Sequence, residues 1–138
     1  MSGIVVDAYV ALALILPDES SHYADAVLSV AEKEGLRVPS LWSYEIANGL
    51  ALAYARKRIT PSETNIFLTA ISRLRISIDD APPLTIVSEG SMAAMQFGLT
   101  AYDAVYVNLA LREKLPLATL DNAMRKAAEK SGVIIFNN

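Results

Sequence analysis

Four of the fifteen acidic residues stand where an acid fits poorly. Asp7 ends the β-branched run Ile4-Val5-Val6. Glu45 lies within Leu41-Trp42-Ser43-Tyr44-Glu45-Ile46-Ala47-Asn48, a stretch apolar on most sides. Asp103 lies within Leu99-Thr100-Ala101-Tyr102-Asp103-Ala104-Val105-Tyr106-Val107, and Asp121 follows Leu117-Ala118-Thr119-Leu120. Gathered among apolar side chains, four carboxylates repel one another and hold their protons more tightly. A hard divalent cation relieves that strain: carboxylate oxygens with open water positions suit Mg²⁺ or Mn²⁺. Each acid also has a plain structural reading. Asp7 and Asp121 sit where helix N-caps belong. Asp103 follows Thr100 at the spacing of a capping box, and Glu45 can face solvent. The chemical reading depends on the fold bringing the four together.

Apolar runs alternate with helical patterns along the chain, the order that a sheet of parallel strands with helical crossovers requires. Short strands are predicted over Gly3 to Val6, Leu36 to Val38, Ile76 to Ile78, Leu117 to Leu120 and Val133 to Phe136. Helices are predicted over Ala8 to Leu16, stopped by Pro17, and over Ser21 to Lys33. A long apolar helix opens at Pro39-Ser40 and runs to about Arg58. Thr60-Pro61-Ser62-Glu63 is a helix start with a capping box, and that helix runs to about Leu74. Further helices cover Pro83 to Phe97, closed by Gly98, then Leu99-Thr100 through Arg112, and Asn122 to Lys130. The expected architecture is α/β, about five short parallel strands sandwiched between helices. Ligands of such sheets gather at the carboxyl ends of the strands, which is where Asp7 and Asp121 fall. Asp103, on the first turn of its helix, can point the same way. Asn48 shares a helical face with Glu45 and is placed to orient it.

The 138 residues amount to one domain. With 53% hydrophobic and 20% charged residues the chain is neither disordered nor fibrous. The absence of cysteine excludes disulfides, thiolate zinc sites and thiol nucleophiles. A single histidine, His22, leaves no partner for Ser-His chemistry. The net charge of −3 argues by itself against a nucleic-acid partner. With the four unusual acids set aside, however, the remainder carries +1. No apolar run approaches the ~18 residues of a membrane span, and the N-terminus has no basic segment of a signal peptide. A cytoplasmic protein is expected.

The four segments Ile4-Val5-Val6-Asp7-Ala8, Glu45-Ile46-Ala47-Asn48, Leu99-Thr100-Ala101-Tyr102-Asp103-Ala104 and Leu117-Ala118-Thr119-Leu120-Asp121 occur in that order over almost the whole chain. In this they resemble the PIN-domain ribonucleases, and within them the VapC toxins of prokaryotic toxin–antitoxin pairs. The resemblance implies one PIN-like domain over residues 1–138 and hydrolysis of RNA phosphodiesters, leaving a 5′-phosphate and a 3′-hydroxyl. It assigns the acidic quartet to Asp7, Glu45, Asp103 and Asp121, as catalytic residues and as ligands of Mg²⁺ or Mn²⁺. It also implies a homodimer and a cognate antitoxin protein lying in the active-site groove. Many members carry Ser or Thr two residues after the first Asp, where this chain has Tyr9. Many carry a basic residue after the last Asp, where it has Asn122. Thr119 keeps the hydroxyl that often precedes that Asp, and is expected to support the ligands.

One or two ions held by these acids would acidify a water and offset charge on the phosphate. RNA contact calls for basic residues. The candidates are the run Arg56-Lys57-Arg58, which also reads as a solvated helix C-terminus, and Arg125 with Lys126 near the last acid. Trp42, Tyr106, Tyr102, Met92 and Met95 read as packing residues. A haloacid-dehalogenase-type phosphatase needs a second acid where Tyr9 stands, and a receiver domain needs an acid pair at the first strand. A catalytically silent module of the same fold, binding only protein, has no use for four acids together.

Overall fold

Ile4, Val5 and Val6 form β1 (Ile4–Val6), buried at every position, as suits a strand covered by helices on both faces. The computed structural model describes residues 2–16 and 21–137, and the expected helix stop at Pro17 lies outside them. β1 is flanked in parallel by β2 (Leu36–Pro39) and β4 (Leu117–Ala118), and β3 (Ile76–Asp79) lies outside β2, giving the order β3-β2-β1-β4. Such strands need crossovers, and the helices supply them. α1 (Ala8–Leu12) and α2 (Ser21–Glu34) join β1 to β2. α3 (Leu41–Ala55) and α4 (Pro61–Ser72) lead to β3. α5 (Pro83–Phe97) and α6 (Ala101–Glu113) lead to β4, and α7 (Asn122–Ser131) follows.

The expected fifth strand is reduced to a single bridge, Ile135 to Leu117. Its partner is the reason. β4 is only two residues long, because the chain turns away at Thr119 to cap the next helix. α1 is also shorter than expected. Beyond Leu12 the amides of Leu14 and Ile15 reach back only three residues, to Ala11 and Leu12, so the chain tightens out of α-geometry. The predicted capping box at Thr60 and Glu63 is present in both directions, at 3.1 and 3.0 Å. Gly98 closes α5 with φ +66°, a conformation that favours glycine.

α3 packs directly on α1 because Gly49 has no side chain, and a Cβ there would run into Leu12. Trp42 and Ile46 on the same helix reach the core, with Phe67 of α4 and Val107 and Leu109 of α6. Met92 and Met95 do not fill a helix interface, contrary to expectation: they are 66% and 81% exposed. α5 turns its small residues, Gly90 and Ala93, inward, which sends Met92 and Met95 to the far side. Tyr102 and Tyr106 likewise part company. Tyr106 is buried and Tyr102, in the first turn of α6, is open to solvent.

Candidate active site

Asp7 leaves the end of β1 as a buried carboxylate, 4% exposed. It caps α1 as expected, with Oδ1 accepting from the Tyr9 amide at 2.6 Å. Its other oxygen, Oδ2, accepts from the Thr119 hydroxyl, also at 2.6 Å. Thr119 is fully buried, and the same hydroxyl oxygen accepts from the Asp121 amide at 3.1 Å. One side chain thus joins the first and last acids of the quartet across the β1–β4 pairing. Asp121 caps α7, accepting from the Met124 amide at 2.8 Å. Asp103 lies in the first turn of α6, and its amide donates to Thr100 Oγ1 at 3.2 Å. The N-cap readings of Asp7 and Asp121 are therefore borne out, while at Thr100 only the amide half of the expected capping box with Asp103 forms; none of them competes with the chemical reading. A carboxylate accepting one amide bond retains other lone pairs.

Glu45 does not leave its helix for solvent. It is half-buried, and its Oε1 accepts from the Tyr106 hydroxyl at 2.6 Å. Asn48, expected to orient Glu45, is exposed and makes no hydrogen bond to it. Tyr106 is the residue that sequence reasoning missed. It had a signal, because a phenol on an otherwise apolar helix face needs a polar partner for its hydroxyl.

The acids act on one another. Burial pushes the Asp7 carboxyl above the ordinary carboxylate range, and the charge of Asp103 adds to this, although Thr119 and the amides of Tyr9 and Val10 pull the other way. Glu45 is raised by burial and by Asp7 and Asp103, against the pull of Tyr106. Asp103 is raised by burial and by Asp121. The Tyr106 phenol is pushed far up by burial, by its bond to Glu45 and by the charges of Glu45 and Asp7, so it is a fixed donor.

The expected basic contacts are placed differently. Arg125 is drawn inward: its Nε donates to the Thr119 carbonyl at 2.7 Å, and its guanidinium lies 5.4 Å from the Tyr23 ring centre. It braces the end of β4. Lys126 is exposed on the first turn of α7. Arg56, Lys57 and Arg58 follow the C-terminal end of α3, roughly 16 Å along the axis from Glu45. Arg125 thus touches Thr119, the residue that joins the first and last acids.

The profile of the PIN domain matches residues 4–130 of this chain. The chain belongs to the PIN-domain family. Over 132 residues the PIN domain is 30% identical to Ribonuclease VapC3 of Pyrobaculum aerophilum, which covers 96% of this chain and 97% of that protein. The crystal structure of PAE2754 from the same organism superposes with a TM-score of 0.68 at 27% identity, over 96% of this chain and 90% of that one. FitAcB from Neisseria gonorrhoeae shares the fold at 22% identity, with a TM-score of 0.64 over 97% and 96% of the two chains.

The acids of this PIN domain suit a divalent cation in donor type and in charge. All are oxygen ligands, and three of the four are raised by burial and by each other. Among the described residues, no three acids converge closely enough to form a ready cage. Asp7 and Asp121 are joined through Thr119, and Asp121 Oδ2 and Glu45 Oε2 have no hydrogen-bond partner among the described residues.

Proposed function

We propose that the whole chain, residues 1–138, is one catalytic domain: a divalent-metal-dependent endoribonuclease, and the toxin of a type II toxin–antitoxin pair. The observation that carries this reading is the Asp7–Thr119–Asp121 junction. It sits at the carboxyl ends of parallel strands, with Glu45 and Asp103 in its field, in a chain 30% identical to a ribonuclease over nearly its full length. The phosphatase alternative lacks its second acid, since Tyr9 stands in that place, largely exposed.

Asp7 and Asp121 would hold Mg²⁺ or Mn²⁺, with Asp103 and Glu45 completing the shell directly or through water. When bound, such an ion supplies Lewis acidity for a water and offsets charge on the phosphate. The protein's own residues do the rest. Thr119 fixes the Asp7 carboxylate by donating to Oδ2, and its oxygen holds the Asp121 amide. Tyr106 holds Oε1 of Glu45, which leaves Oε2 for a ligand or a proton. Arg125 braces the Thr119 carbonyl and so keeps the strand end in place.

The expected partners are RNA, an antitoxin protein and a second copy of the chain. The outward stripe Leu84, Met92 and Met95 of α5 is exposed and suits the second copy. Among the described residues no helix is long and apolar enough to cross a membrane, and the proposed compartment is the cytoplasm.

Mixed short oligoribonucleotides incubated with Mg²⁺ or Mn²⁺ test the reading. Cleavage that stops on chelation and in Asp121→Asn is expected. Cleavage that survives both would sink it. Removing the Tyr106 hydroxyl gives a finer expectation. Tyr106→Phe should lower kcat by about 10-fold, within the usual range for a lost supporting bond to a ligand. Stability should change by about 1 kcal/mol, readable as a small shift in the melting temperature. Wild-type kcat in Tyr106→Phe would mean that Glu45 needs no holding.

A further inference from the structure

We propose that the cavity flanked by Tyr44 and Tyr102 is a nucleobase subsite, taking the base of a nucleotide next to the scissile phosphodiester. The proposal rests on the ribonuclease reading above and adds to it a determinant of which RNA is cut.

The cavity measures about 460 Å³, within the range of small-ligand sites and large enough for a base with its ribose. It lies between the start of α3, the turn after β3, and the facing sides of α5 and α6. Two of its lining residues tie it to the acids. Tyr44 precedes Glu45 on α3, and Tyr102 precedes Asp103 on α6. Neighbouring helical residues project about 100° apart. Each helix therefore gives a carboxylate to the acidic site and a phenol ring to the cavity, and a strand of RNA lying across the first can place a base in the second.

The rings are not used for packing. Tyr44 is 76% exposed and Tyr102 is 64% exposed, and neither hydroxyl bonds to any described residue. Open aromatic faces beside a phosphate-processing site are stacking platforms for bases. Along one stripe of α6 the lining continues with Val105, Asn108 and Arg112. The Asn108 amide is half-buried and makes no hydrogen bond to a described residue. A donor and acceptor side by side in an apolar wall match the edge of a base.

The charges select the same occupant. Arg112 is already paired with Asp79, at 2.8 Å, and the other charged lining residue is Glu89. The cavity thus offers no unpaired cation to a phosphate or an acidic peptide, whereas a neutral base meets no penalty. The stripe Leu84, Met92 and Met95, suited to a second copy, is not part of its lining.

Short oligoribonucleotides with a randomised centre, cut by the wild type in Mn²⁺ and sequenced at the new ends, provide the test. A base preference is expected at one position beside the cut. Tyr102→Ala and Asn108→Ala should flatten it there. Tyr102→Ala should raise KM by about 5- to 150-fold, the range for a lost base stack. Tyr102→Phe, which keeps the ring, should restore the wild-type KM. An abasic nucleotide at the preferred position should weaken the wild type similarly and add little to Tyr102→Ala. Wild-type KM and cut-site distribution in both alanine variants, with RNA still being cut, would overturn the subsite and leave the ribonuclease reading standing. If the wild type cuts nothing, both fall. A KM effect that tracks a change from dimer to monomer in sedimentation would assign the cavity to a second copy and overturn the proposal.

Discussion

Asp7→Asn is expected to lose about 10²-fold or more in RNA cleavage while raising the melting temperature of the metal-free protein. Both effects have one source. Asp7 is almost fully buried, and burial raises its carboxyl above the value it has in the unfolded chain. The native state therefore holds a proton that the unfolded state has already released. Stability is then highest at low pH and falls as pH rises from the unfolded carboxylate value through the higher folded one. Above the folded value the full cost of an ionised, buried Asp7 is present. Glu45 and Asp103 are raised too and contribute with the same sign. Asparagine removes the charge and remains a good N-cap for α1. Melting curves in chelator, from about pH 4 to pH 7, should show the wild type losing stability with rising pH more steeply than the variant. A variant that melts below the wild type at neutral pH and still cuts RNA would contradict the account.

The largest loss of stability is expected at Arg37. This β2 side chain is 12% exposed and holds Glu113, itself 13% exposed, through Nε and Nη2, both at 2.8 Å. Nη1 also donates to Ser77 at 2.9 Å, and Nη2 lies 3.4 Å from Asp79. Arg37→Met leaves Glu113 and Asp79 largely out of water with only Arg112 to share. The expected cost is about 3 kcal/mol, near the low end for breaking a buried pair because each group keeps some contact with water. Melting should fall by on the order of 10 °C. Adding Glu113→Leu should recover much of this, since the penalty comes from the stranded charge and less from the lost attraction. No recovery in the double variant would show that the network matters through its geometry.

The sequence made local features legible. Thr60 with Glu63, and Gly98 after α5, fix helix ends through bonds spanning a few residues. The parallel sheet followed from the alternation of strands and helices. What escaped depends on pairings between distant parts of the chain. Nothing near Glu45 announces a hydroxyl 61 residues away, so Asn48 looked like its natural partner. The early end of β4 follows from the Asp7–Thr119 bond, and the missing fifth strand follows from that early end. The turning inward of Arg125 belongs to the same corner. The four acids could be picked out because their surroundings are locally apolar; the residues that hold them could not.

The bond between Thr119 and Asp7 spans 112 residues. A chain still emerging from the ribosome has β1, β2 and two of the four acids, Asp7 and Glu45, long before it has β4 and Thr119. Until those arrive, the Asp7 carboxylate lacks the strand that walls it from water and the hydroxyl that fixes it. The corner that fixes the first acid is thereby assembled only after residue 119 has been made.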